Sequence, residues 1–178
     1  MRILAVSGSL RPDSFNTALL REAAQVAPAG VEVELWDGLG DLPIYDQDLD
    51  DGDDAPESVR RLRDAWGSAD AILFATPEYN GSVPGGLKNA VDWASRPKGA
   101  APLQNKTAAV VGASMGQFGA LWAQQDLRRI LGIAGARVVG EGLPVSRAHE
   151  GFDEAAIEGL RNVLESLVQA ADPLDVAV

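Results

Sequence analysis

Short apolar runs rich in β-branched residues alternate along this chain with segments of helical period. That alternation admits few folds, because a strand apolar on both faces must be covered on both, and the crossover helices of a parallel sheet supply that covering. Five strand-and-helix units can be counted. Ile3-Leu4-Ala5-Val6 is a continuous apolar run, followed by Phe15, Leu19, Leu20, Ala23 and Ala24 at helical spacing until Pro28 and Gly30 stop the helix. Val31 to Leu35 alternates and is expected near a sheet edge, whereas Ala71 to Ala75 is the most hydrophobic strand and belongs at the centre. Thr107 to Val111 and the shorter Arg137 to Val139 complete the strands. Helices are expected from Pro56 to about Trp66 with Gly67 just past the end, from Pro84 through Ala94, from Leu121 to Ile133, and from Phe152 to Ala171. The acidic stretch from Asp37 to Pro56 has no sustained period and reads as a long irregular connection, of the kind that usually carries function or an interface.

With 178 residues, 46% of them apolar, the chain can bury one full core, and a single domain spanning residues 1–178 is expected. Its 26 acidic residues against 15 basic ones leave a net charge of −11, which disfavours nucleic acid and anionic membrane partners. The absence of cysteine excludes disulfides, thiolate nucleophiles and Cys-based metal sites. No signal-like or spanning apolar run is present, and a cytoplasmic location is expected.

In an open parallel sheet, ligands bind beyond the carboxyl ends of the strands where the strand order reverses. The loops after the first, third and fourth strands reach that edge. The first groups Ser7, Ser9, Ser14, Asn16 and Thr17 around a helix start, where free N–H groups and the positive dipole end make an anion cradle, and Arg11 can add a charged fork. A plain strand-to-helix turn with Ser14 as N-cap would account for one such residue and leave the others unexplained. No G-K-[ST] ending and no G-x-G-x-x-G follows the first strand, so a P-loop and a dinucleotide fingerprint are both absent. The second loop, Thr76-Pro77-Glu78-Tyr79-Asn80-Gly81-Ser82, offers an aromatic surface and a paired donor and acceptor, or else is a surface turn before a Ser82-capped helix. The third places Gly112, Gly116 and Gly119 around Ser114, suited to close approach by a ligand or to a flexible connection.

Gly8-Ser9-Leu10-Arg11 with Ser14 and Asn16, then Pro77 through Ser82 running into Pro84-Gly85, Leu87-Lys88-Asn89-Ala90 and Asp92-Trp93, resemble the signatures of the NADPH-dependent FMN reductase family, which includes bacterial quinone and chromate reductases. The resemblance extends from the first strand through the fourth helix. It implies a flavodoxin-like α/β fold, a three-layer sandwich around a five-stranded parallel sheet of order 2-1-3-4-5. It also implies non-covalent FMN, NADPH or NADH as co-substrate, a small-molecule electron acceptor, and a homodimer or homotetramer. Under the same resemblance Ser9, Arg11, Ser14, Asn16 and Thr17 surround the phosphate, Pro77, Glu78, Tyr79, Asn80 and Gly81 border the isoalloxazine, and Ser114 and Gly116 approach its other edge. This chain has Gly119-Ala120 where the family often has paired glycines. The segment Leu42 to Asp46 looks like the family's second connection, which tends to reach a partner subunit's site.

Hydride transfer at flavin N5 requires positioning and stabilisation of negative charge rather than a protein nucleophile, so no catalytic side chain is expected. The expected activity is ping-pong, two-electron transfer from NAD(P)H through FMN to quinones, azo, nitro or chromate acceptors, or free flavin. The competing readings are a flavodoxin-like one-electron carrier without NAD(P)H turnover, a flavin-binding module without turnover, and a nucleotide-processing enzyme. Glu78 is expected to act through its backbone more than as a general acid. His149 is expected at the surface, the run Asp46, Asp48, Asp50, Asp51, Asp53 and Asp54 as a solvated face rather than a calcium loop, and Trp36, Trp66, Trp93 and Trp122 in core or interface.

Overall fold

The computed structural model of the chain describes residues 1–50 and 55–171. In chain order the elements are β1 (Arg2–Ser7), α1 (Phe15–Gln25), β2 (Glu32–Trp36), a short helix α2 (Gln47–Asp50), α3 (Glu57–Ser68), β3 (Ala71–Ala75), α4 (Gly85–Ala94), β4 (Thr107–Ala113), α5 (Leu121–Ile133), β5 (Arg137–Val138), β6 (Leu143–Val145) and α6 (Glu154–Ala171). All pairings in the sheet are parallel, in the order β2-β1-β3-β4-β5, with β6 also on β4.

The period of two along the strands divides the core. Leu4, Val6, Ile72, Phe74 and Val110 face α3, α4 and α5, where Leu62, Trp66, Trp93 and Leu127 are fully buried. Ile3, Ala5, Leu73, Ala109 and Val111 face α1 and α6, meeting Leu19, Leu20, Leu160 and Leu164. Each such Leu stabilises the fold by roughly 1.5–3 kcal/mol on burial, so the apolar stripes decide which face each helix turns inward. The register brings Ser7, Ala75 and Val111 level with one another. The loops that follow β1, β3 and β4 therefore open along one edge.

Two sequence expectations need correction here. The sheet has six strands rather than five, because the last edge position is shared: β5 pairs with the start of β4 and β6 with its end. Gly140 and Gly142, at φ 65° and 95°, break the edge strand between them. The buried Gln124 fills that break, its Oε1 accepting the Leu143 N–H at 3.0 Å and its Nε2 donating to the Gly119 carbonyl at 2.9 Å. The connection from Asp37 is likewise not wholly irregular, since it holds a 3-10 turn at Gly38–Asp41 and the helix α2. Elsewhere the differences are of one or two residues, as with α3, which continues through Gly67 to Ser68. No described helix is long and apolar enough to cross a membrane.

Gly119 shows what docks β6. It adopts φ 56°, and a Cβ there would lie 2.5 Å from the Pro144 carbonyl carbon and the Val145 nitrogen. Gly119→Ala is expected to lower stability by about 2 kcal/mol or more through a left-handed backbone and a clash with main chain. A denaturant midpoint unchanged from wild type would refute this.

Candidate functional site

The first loop leaves β1 with Gly8, whose N–H donates to the Ala75 carbonyl at 2.8 Å. Gly8 packs so tightly on the second loop that a Cβ would come within 2.8 Å of Leu87 and 3.1 Å of Pro77. Ser14 ends the loop as the N-cap of α1, its Oγ accepting the Thr17 N–H at 3.2 Å. That bond uses the oxygen and leaves the hydroxyl proton available. Ser7 Oγ and Thr17 Oγ1 are paired at 2.8 Å, and Ser7 Oγ also lies 3.5 Å from the Ser9 carbonyl. Among the described residues the N–H groups of Phe15 and Asn16 have no protein acceptor, as the first turn of a helix requires. Arg11 is exposed and its guanidinium makes one long bond, 3.4 Å, to the Asp13 carbonyl. Hydroxyl donors, bare N–H groups and one available guanidinium around a helix start suit the terminal oxygens of a phosphate monoester.

Asn16 differs from its sequence expectation in manner. Its side chain is 3% exposed and turned inward, where Nδ2 donates to the Ala113 carbonyl at 3.0 Å and Oδ1 accepts the Ala113 N–H at 2.9 Å. The amide thus joins the first loop to the end of β4, and only the backbone N–H of Asn16 faces the cradle's donor set.

In the second loop, Tyr79 and Ser82 exchange backbone bonds at 3.1 and 3.2 Å around Asn80 and Gly81, whose φ values of 54° and 75° form a tight reversal. Tyr79 and Asn80 are exposed at its tip. Ser82 does not cap α4, whose N-cap is Pro84; its hydroxyl donates instead to Asp126 on α5. Glu78 accepts the Ala123 N–H at 3.1 Å, also on α5. The third loop is held by the end of β6 and the segment after it: Ser114 donates its N–H to the Val145 carbonyl and accepts one from Ala148, and Gly116 accepts from Arg147. Phe118 and Trp122 pack at 4.8 Å with their rings tilted by 57° beside it, Trp122 being 46% exposed. The three loops are therefore tied in pairs by Gly8 on the second loop, Asn16 on β4 and Glu78 on α5.

The connection of residues 42–50 is clamped onto α4. Asn89 donates to the Pro43 carbonyl and accepts the Tyr45 N–H, both at 2.8 Å, Trp93 Nε1 donates to the same carbonyl at 2.9 Å, and Tyr45 stands edge-on to Trp93 at 4.8 Å. Asn89 and Trp93 of the sequence signature thus act on this connection. Asp50 is not a solvated face residue: its side chain is 5% exposed and ion-pairs with Arg63, which lies over the Trp93 ring. Asp51, Asp53 and Asp54 lie outside the described residues. No group of three or more acidic or histidine side chains suited to a metal occurs among the described residues, and His149 is at the surface beside Glu150. A cavity of about 860 Å³ lies between α4 and α5 and is lined by Tyr45, Lys88, Arg96 and Ile133 but by no residue of the three loops. Its charges at Lys88 and Asp92 are already paired with each other, whereas the strand-end loops hold the bare backbone donors, so the site is assigned to the loops.

Ser82 first, then Arg129, donates to Asp126 and holds its carboxyl below the usual carboxylate range. A depressed folded pKa means the stabilisation is present above the unfolded value and lost as pH falls through the folded one. The Tm difference between Asp126→Asn and wild type is expected to be open at about pH 6 and to close as pH falls below the ordinary carboxylate range; a gap independent of pH would contradict it. Asn16→Ala strands the buried Ala113 N–H and carbonyl and is expected to lower unfolding free energy by about 3 kcal/mol, read from denaturant midpoints at constant m.

Comparison with known proteins agrees with the geometry. An NAD(P)H-dependent FMN reductase of Pseudomonas aeruginosa is 48% identical over 131 residues, 74% of this chain and 69% of that protein. A quinone reductase of Escherichia coli is 39% identical over 141 residues, covering 79% of this chain and 74% of the other. The flavoenzyme NAD(P)H:(acceptor) oxidoreductase FerB from Paracoccus denitrificans superposes with a TM-score of 0.84 at 37% identity, over 96% of each chain. A flavodoxin from Pseudomonas aeruginosa, 18% identical with a TM-score of 0.59 over 96% of this chain and 99% of its own, shares the fold. Residues 1–150 match the family model described as NADPH-dependent FMN reductase, and the chain belongs to that family.

Proposed function

We propose that this chain binds FMN without a covalent bond in the three-loop edge and uses NADPH or NADH to reduce a small acceptor such as a quinone in a ping-pong cycle. The observation that carries the reading is the donor set at the start of α1: bare N–H groups of Phe15 and Asn16 beside the hydroxyls of Ser7, Ser9, Ser14 and Thr17. When bound, FMN supplies the chemistry, accepting two electrons from a nicotinamide and passing them to the acceptor.

The chain's residues position and stabilise. Ser9, Ser14 and Thr17 donate hydroxyl protons to the phosphate, Asn16 its N–H, and Arg11 a charged fork that offsets the acidic field of the protein. Pro77, Glu78, Tyr79, Asn80 and Gly81 border the ring. Among the described residues the N–H groups of Glu78, Asn80, Met115 and Gly116 have no protein acceptor, so they can stabilise negative charge that develops on the ring without any side-chain base. Ser114 and Gly116 stand on the opposite edge, braced by the segment after β6. Relatives named quinone reductase support an acceptor of that class. Ile44 and Ile133, 81% and 77% exposed, support pairing with a second copy of the chain.

Binding of FMN and of riboflavin, which lacks the phosphate, tests the cradle. FMN is expected to bind at least about a hundredfold more tightly, and Ser9→Ala to weaken FMN about tenfold with riboflavin unaffected, in line with the loss of one bond to a charged group. Equal affinities for the two flavins would remove the reading. Anaerobic mixing with NADPH and NADH, then with a quinone, tests turnover; flavin that neither nicotinamide bleaches would instead select a one-electron carrier.

A further inference from the structure

Helix α5 starts without a cap of its own. Its N-cap position is Ala120, held at φ 60° and ψ 34° and lacking any hydroxyl or carboxylate. Leu121 finds the Phe118 carbonyl at 3.0 Å, but the Ala123 N–H at the third helical position has no local acceptor. That acceptor comes from 45 residues upstream, where the Glu78 carboxylate receives it at 3.1 Å. One turn further along α5, Asp126 receives the Ser82 hydroxyl. The reversal of Tyr79, Asn80 and Gly81 is therefore anchored to a single helix on both sides.

Resting on the FMN reading above, we propose that Glu78 is a positioning residue whose carboxylate latches the second loop to the N-terminus of α5 and whose charge sets the reduction potential of the bound flavin. Geometry and charge make separable contributions. The oxygen that accepts the Ala123 N–H locks the loop in place, which any acceptor of similar reach would do. The negative charge offsets the positive end of the α5 dipole within the wall assigned to the ring, and so opposes the extra negative charge of the reduced flavin. A carboxylate engaged as acceptor at a helix start acts through its oxygen, which separates this role from that of a general acid.

Two substitutions divide the contributions. Glu78→Gln keeps an acceptor oxygen and removes the charge. It is expected to favour reduced over oxidised FMN about tenfold, a potential about 30 mV more positive. Glu78→Ala removes both, and is expected to weaken oxidised FMN about tenfold and to abolish the hydrogen-exchange protection of the Ala123 amide. An unchanged potential in Glu78→Gln overturns the charge role. An Ala123 amide that exchanges equally fast in wild type and Glu78→Ala, measured on the flavin-free chain, overturns the latch. A wild-type protein that binds no FMN overturns the underlying reading and the potential-setting role with it, whereas the exchange comparison decides the latch by itself.

Discussion

The side-chain amide of Asn16 is the contact on which the arrangement of the site depends. A parallel sheet delivers its loops to one edge but does not fix how far apart they stand, and the loops after β1 and β4 are separated by the whole width of β3. Asn16 closes that distance by answering both the N–H and the carbonyl of Ala113 from the first turn of α1. Both bonds are buried, where an unmatched donor or acceptor costs most, so the helix start has one resting position against β4. The bare N–H groups of that helix start are thereby held at a set distance from the third loop.

The electrostatic logic follows from the same contact. A chain with a net charge of −11 is a poor host for a phosphate dianion if judged by its field alone. Under the proposed function, local dipoles offset that field because they act at hydrogen-bond distance, while distant carboxylates are screened by solvent and salt. The first loop accordingly relies on backbone N–H groups and hydroxyls, with Arg11 as its one formal cation. Glu78 belongs to the same balance at the other side of the edge, since its carboxylate faces the positive end of α5.

The connection before α3 illustrates how irregular backbone is made specific. Its carbonyl at Pro43 receives both Asn89 and Trp93, and Asp50 is drawn into the interior by Arg63. A buried pair of this kind is costly to desolvate and adds little net stability, so its value here is to fix one path for the segment. Ile44 is left pointing outward from a braced backbone, a condition suited to contact with another molecule.

The alternation of apolar runs with helical periods determined the α/β class, the parallel sheet and most element positions, because strand and helix burial have different periods and both are local. Turn chemistry likewise made the reversal at Asn80-Gly81 legible, since positive φ is written in the residue type. The serines of the first loop pointed by composition alone to the phosphate cradle proposed above. What the sequence could not decide was which partner each polar side chain would take. The Asn16 side chain reads as a phosphate donor, Ser82 as a helix cap and Asp50 as a solvated acid until the fold supplies Ala113, Asp126 and Arg63 as side-chain partners, which leaves Asn16 only its backbone N–H for the proposed phosphate. The break between β5 and β6, plugged by Gln124, was equally hidden. The contacts of Asp50, Ser82 and Asn16 join residues from 13 to 97 positions apart, and hydrogen bonds are directional and short, so only the packed chain brings donor and acceptor to within 3 Å or so of one another.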